Sequence, residues 1–350
     1  MTPIPVFDGH NDVLLRLLTD YAADPTKAFI EGTKDGHLDL PRARAGGLVG
    51  GFFAIFPPNP KKTDFTAPGA IGGNPPLPEQ LTLEQGRQST LAMVRILLDL
   101  TRGPDSPVAL CRNRAELDAA IAAGKLATIM HIEGAEAIDA NLDMLEVLYA
   151  AGLRSIGPVW SRSNIFGHGV PFHFPASPDI GPGLTAAGKD LVRACNRLGM
   201  VIDLSHLNEA GFWDVAKLSA APLVATHSNA HAICASARNL SDKQLAAIAE
   251  SNGMVGLNFA TGFLRPDGAM RGDTALDIMV RHLDYLIEKL GEGRVGFGSD
   301  FDGANIPSAI GSVAGLPVLT DALKARGYSD TLIRRLACGN WLDLLERTIG

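Results

Sequence analysis

Residues 4–12 read Ile4-Pro5-Val6-Phe7-Asp8-Gly9-His10-Asn11-Asp12. The short apolar run Ile4–Phe7 has the character of a strand buried on both faces, and it passes directly into side chains of metal-ligand type. Residues two apart on an extended chain project to the same side. His10 and Asp12 can therefore face one point, offering an imidazole nitrogen and a carboxylate oxygen. Taken alone, such a pair reads equally as hydrogen-bonded residues of a turn.

The fold reading comes from repetition of this pattern. Seven further apolar runs follow, at Val49–Phe56, Ala127–Ile132, Ser155–Val159, Met200–Leu204, Leu223–Ala225, Met254–Asn258 and Arg294–Gly298. Amphipathic segments separate most of them, at Glu84–Asp99, Leu142–Ala151, Ala186–Leu198, Asp242–Ser251 and Thr274–Leu290. Eight buried strands with intervening helices predict an α/β fold of the (β/α)8 TIM-barrel type. A doubly wound open sheet is the alternative, weakened because no GxGxxG or GxxxxGK[ST] loop follows the first strand.

A chain of 350 residues with 46% hydrophobic residues suits one barrel with insertions. The expectation is a single domain over 1–350, with long loops at about 57–82 and 160–183. Both loops are rich in proline and glycine and would lie on the C-terminal rim, where barrels build their sites. The net charge of -7 and the lack of a Lys/Arg cluster argue against nucleic acid. No apolar run approaches the roughly 20 residues that span a bilayer, so no membrane anchor is expected. The strand-like segment at residues 4–7 leaves no room for a signal peptide. Cys111, Cys195, Cys234 and Cys338 lack CxxC spacing and read as reduced thiols. The expected compartment is the cytoplasm.

Side chains of ligand type recur where other strands end. Glu133 closes the third run, His206 follows the fifth, His227 the sixth and Asp300 the eighth. Any one of these reads most simply as a buried, hydrogen-bonded polar residue. Barrel closure, however, brings all these strand ends to one rim, and six convergent His, Asp and Glu side chains would be electrostatically costly there without cations. The set points to a two-metal site.

The motifs Asp8-Gly9-His10-Asn11-Asp12, Ile132-Glu133-Gly134, Asp203-Leu204-Ser205-His206, Thr226-His227-Ser228-Asn229-Ala230, Ala235-Ser236-Ala237-Arg238-Asn239, Gly298-Ser299-Asp300-Phe301-Asp302-Gly303 and Gly339-Asn340-Trp341-Leu342 occur in this order along the chain. In this combination the chain resembles the membrane (renal) dipeptidase family of amidohydrolase-type barrels. The resemblance implies one metal held by His10 and Asp12, a second by His206 and His227, and Glu133 bridging them. It implies two divalent ions, zinc by preference, with Asp300 as catalytic acid/base and Arg238 against the substrate carboxylate. It further implies a free dipeptide as substrate, with D-residues tolerated at the C-terminal position, and a homodimer as a common assembly.

One position departs from the pattern. Some members carry an oxyanion-stabilising histidine after the fourth strand, where this chain has Trp160. An indole donates one hydrogen bond and cannot become cationic; Arg162, Asn164 and His168 are alternative donors. Trp160 and Asn258 are read as substrate contacts, and Asp203 and Asp302 as acceptors that orient the ligands from behind. His131, two residues before Glu133, is read as a buried residue below the site. Competing readings are a barrel that hydrolyses a cyclic amide, lactone or phosphoester, and an inactive binding scaffold.

Overall fold

The computed structural model describes residues 3–60 and 77–350. Most of the loop expected at about 57–82 therefore lies outside the described residues. Among the described residues there are nine strands: β1 (Val6–Asn11), β2 (Leu48–Ile55), β3 (Val108–Leu110), β4 (Leu126–Glu133), β5 (Leu153–Gly157), β6 (Val201–Ile202), β7 (Val224–Ala225), β8 (Met254–Asn258) and β9 (Val295–Gly298). Eight of them match the eight apolar runs. The ninth, β3, sits outside the ring and pairs only with β4; at three residues it left no periodic signal in the sequence.

All strand pairs are parallel, in the order β6-β5-β4-β2-β1-β9-β8-β7. The two ends of that path meet through a single parallel bridge, Asp203 to Val224, and the bond from Leu204 N to Val224 O at 2.9 Å. The ring is thus a (β/α)8 barrel whose seam lies between its two shortest strands. Helices follow most strands, and their starts are written in the sequence. Thr82 and Gln85 form a reciprocal capping box on the Leu83–Leu100 helix, and the Thr185 side chain caps Ala186–Leu198.

The described residues form two apolar cores. The larger lies between the strands and the surrounding helices. The smaller includes Phe7, Phe52, Ile129, Val201, Val224 and Met254, joined by Trp341, Leu344 and Leu345 of the last helix, Asn340–Ile349. Trp341 is fully buried and donates its indole N–H to Phe297 O at 2.9 Å. Its ring fits because three strands carry glycine there: a Cβ at Gly9, Gly256 or Gly296 would come within 2.5–3.0 Å of it. From this indole an aromatic column rises. Phe52 lies 5.3 Å from Trp341, His131 lies 6.2 Å from Phe52, and His10 lies 5.5 Å from His131.

Candidate active site

At the carboxyl ends of the strands the expected side chains converge. Glu133 Oε1 lies 2.9 Å from His206 Nε2, 3.3 Å from His227 Nε2 and 3.6 Å from His10 Nε2. His10 Nε2 lies 3.4 Å from Asp12 Oδ2. Asp12 follows the last residue of β1 and stands at the start of the Val13–Asp20 helix. His10, Asp12 and Asp300 form one group whose ligand atoms lie within 4.8 Å of one another, and His10, Glu133 and His227 form a second. All but Asp300 are buried.

The hydrogen bonds behind the histidines fix which nitrogen faces inward. The Asp203 carboxylate can only accept, so Thr226 Oγ1 donates to its Oδ2 at 2.6 Å. Thr226 Oγ1 must then accept from His227 Nδ1, 2.9 Å away. His227 therefore carries its proton on Nδ1 and turns the Nε2 lone pair into the site. Ser161 Oγ occupies the same place behind His206 Nδ1, at 2.9 Å. The two inward nitrogens, His206 Nε2 and His227 Nε2, stand 3.0 Å apart beside a carboxylate oxygen. Both imidazoles are held well below their ordinary pKa, by burial first and then by nearby cationic groups. Burial drives the Glu133 carboxyl the other way, well above its usual range.

The His227 lone pair and the Glu133 oxygen, 3.3 Å apart, repel one another unless a proton or a cation sits between them. Both ring nitrogens of His10 and Asp12 Oδ1 are buried without a hydrogen-bond partner. Gly303 completes the cradle: a Cβ there would collide with the Asp12 and Asp300 carboxylates. This donor set of imidazole nitrogens and carboxylate oxygens fits divalent metal ions.

Asp300 stands in the left-handed region, φ 59°. Its Oδ2 accepts from Asn258 Nδ2 at 3.0 Å, and desolvation of this partly buried carboxyl, reinforced by the Asp12 carboxylate, raises its pKa. Asn258 was expected at the substrate. Instead its amide holds Asp300, His227 O (3.4 Å) and the Ala260 N–H (2.6 Å), because the end of β8 lies beside β9. Asp302 likewise departs from the expected role. It too is left-handed (φ 67°), and its carboxylate faces Arg16 Nε at 3.0 Å and the His37 N–H at 2.5 Å, not a ligand. Asp203 stands behind His227, one hydroxyl removed. His131 is buried below the site, its Nδ1 2.9 Å from Ser155 Oγ.

Arg238 is buried, under the Phe263 ring at 5.4 Å. Its Nη1 donates to Ser205 O and Ser228 Oγ, and its Nη2 to His227 O at 3.1 Å. Its Nε has no partner. The guanidinium is thus anchored by the same segments that carry His206 and His227, with one edge left over.

The cavity above the cluster encloses about 200 Å³. Asp12, Glu133 and Asp300 form its acidic side, and Trp160, Phe56 and Phe172 an aromatic one. The Trp160 ring lies 4.9 Å from Phe56, 5.5 Å from Phe172 and 5.9 Å from His206. The three donors proposed in its place do not reach this wall. Arg162 is buried against Glu136, Asn164 bonds Pro158 O at 2.9 Å, and His168 faces Ser163 Oγ at 3.2 Å. Sequence reading did not single out Thr226, Ser161, Gly303 or Asn59, although Thr226 adjoins His227 and Gly303 closes the Asp300 motif.

A barrel whose rim gathers buried histidines and carboxylates around a fixed pair of inward nitrogens defines a metal-dependent hydrolase. Residues 1–348 match the family model for membrane dipeptidase (Peptidase family M19), and the chain belongs to that family. It is similar to a metallopeptidase from Rhodobacter sphaeroides solved with a phosphinate mimic of the dipeptide L-Ala-D-Ala, at 55% identity over 99% of both chains, TM-score 0.95. A structure described as dipeptidase AC is 54% identical over the whole of both chains, TM-score 0.94. The probable dipeptidase PvdM from Pseudomonas aeruginosa is 25% identical over 99% of this chain and 96% of that one, TM-score 0.83. Among the described residues no helix is long and apolar enough to cross a membrane.

Proposed function

We propose that the protein hydrolyses free dipeptides with two divalent metal ions, zinc by preference, and that it accepts a D-residue at the C-terminal position. The observation that carries this reading is the convergence of the His206 and His227 Nε2 atoms on Glu133 Oε1, with the His227 tautomer set by Asp203 through Thr226. The phosphinate dipeptide bound by the Rhodobacter relative supports the substrate class and the D-residue.

His10, Asp12 and Glu133 would hold one ion, and Glu133, His206 and His227 the other. Divalent cations in this cluster supply Lewis acidity, acidifying water and drawing charge from a carbonyl oxygen. Asp300, steadied by Asn258, takes a proton from the attacking water and returns it to the leaving amine. Arg238 presents its remaining edge, Nε with one Nη2 proton, to the free carboxylate of the substrate. Anchoring one end of the substrate in this way confines cleavage to short peptides. With Trp160 in place of a histidine, this wall offers the oxyanion no cationic side chain among the described residues, and its charge would be met by the cations that Glu133, His206 and His227 would hold.

The test is a panel of L-Xaa-L-Xaa and L-Xaa-D-Xaa dipeptides with zinc-loaded protein, alongside Arg238→Met. Hydrolysis is expected for wild type, with a large rise in KM for the variant. No cleavage of any dipeptide would overturn the reading, as would an unchanged Arg238→Met.

A further inference from the structure

The cavity wall is rich in acceptors and poor in donors. Asp12, Glu133, Asp300 and Asp302 all line it. The N–H groups of Gly303 and Ala304, also on the wall, both bond Asp300 O at 3.1 Å. The described lining side chains able to donate are Asn59, Trp160 and His206, with Arg238 set behind Phe263. The ring nitrogens of His206 already face Ser161 on one side and Glu133 on the other. Asn59 differs in that its donor direction is fixed from behind.

That fixing comes from a buried ion pair the reaction does not use. Arg162 is wholly buried, and its Nη2 lies 2.9 Å from Glu136 Oε1, with Nε at 3.0 Å from the same atom. Its Nη2 also donates to Pro57 O at 2.9 Å, and its Nη1 to Asn59 Oδ1 at 2.5 Å. Arginine has no acceptor, so the Asn59 atom facing it must be the carbonyl oxygen. The amide NH2 group then lies on the other side of the carboxamide, away from Arg162. A buried pair spanning the segments after β2, β4 and β5 is an expensive arrangement, and here it pins one amide on the cavity wall.

Ring order places the amide relative to the substrate. Asn59 follows β2, and Arg238 follows β7. In the circle β1-β2-β4-β5-β6-β7-β8-β9 these two strands are diametrically opposed. If Arg238 takes the substrate carboxylate, as proposed above, a dipeptide lying across the metal cluster turns its amino-terminal residue toward Asn59. We infer that Asn59 is a specificity-determining residue, donating from Nδ2 to an acceptor on the side chain of the amino-terminal residue. The substrate class this favours is a dipeptide led by a carboxamide or hydroxyl side chain over one led by its apolar isostere.

The test compares L-Asn-L-Ala, L-Leu-L-Ala and L-Lys-L-Ala with zinc-loaded wild type, Asn59→Leu and Asn59→Asp. Asn59→Asp keeps an oxygen for Arg162, so it preserves the clamp while replacing the donor by an anion. Wild type is expected to favour L-Asn-L-Ala over L-Leu-L-Ala about tenfold in kcat/KM, as one hydrogen bond allows. Asn59→Leu should erase that ratio, and Asn59→Asp should shift preference about tenfold toward L-Lys-L-Ala. Ratios unchanged by both variants, or an equal fall on every substrate, would overturn the inference while leaving the dipeptidase reading intact. Wild type inactive on all three and on the wider panel would overturn that reading, and this inference with it.

Discussion

A Cβ on Gly303 would meet Asp300 Oδ1 at 2.6 Å and press on the Asp12 carboxylate, so Gly303→Ala must displace one of these two groups. Both contribute to the cluster at His10, and misplacing a catalytic group by about 1 Å costs on the order of 100-fold in rate. Gly303→Ala is therefore expected to lower kcat by about that factor and to reduce bound metal, read by elemental analysis of the purified protein. Thr226→Val acts from farther out. It removes the hydroxyl between Asp203 and His227 and frees the imidazole to take either tautomer. Metal affinity should fall about 10–100-fold, measured by competition with a chromophoric chelator, with little change in folding. Glu133, His206 and His227 were legible because each ends an apolar run. The destination of Asn258 was not, since its partner Asp300 comes from the adjoining strand and only closure of the ring brings them together. Asp302 misled for a related reason: its partners Arg16 and His37 lie near the other end of the chain, His37 being 265 positions away.

At the scale of elements, the last helix supports the floor of the site. Trp341 fills a slot made by glycines on β1, β8 and β9, and the column Trp341, Phe52, His131, His10 links it to the cluster around Glu133. Trp341→Ala is expected to destabilise the fold by about 3–5 kcal/mol, visible as a lower denaturation midpoint. Trp341→Phe should recover most of that loss except the bond to Phe297 O. The sequence showed Gly339-Asn340-Trp341-Leu342 as a motif but not its purpose, because three glycines in three separate strands acquire meaning only once the strands stand side by side. The β3 strand escaped notice on length alone, whereas the long helices were readable from period and caps.

For the molecule as a whole, acid sensitivity should trace in part to His282. It is buried, accepts from the Ala230 N–H at 3.2 Å and bonds Leu264 O at 2.9 Å. Burial pushes its pKa from 6.5 down to about 4. The unfolded chain then binds this proton more readily than the folded one. The stability the group contributes is complete above about pH 6.5 and drains away as pH falls through 4. The loss is on the order of 3 kcal/mol. Denaturation curves of wild type and His282→Gln across that window should converge as pH falls; parallel curves would contradict the assignment. The four cysteines carry no disulfide, so no covalent link offsets this loss.

The ring closes through one bridge at the β6–β7 seam, and the two histidines expected to share an ion, His206 and His227, stand just beyond its two sides. A cation between them would act as a clasp as well as a reagent. Chelation should then do more than switch the chemistry off. The amides of residues 201–207 and 224–228 should exchange with deuterium sooner than those of β2 and β4, and heat inactivation should follow ion loss, beginning at the seam.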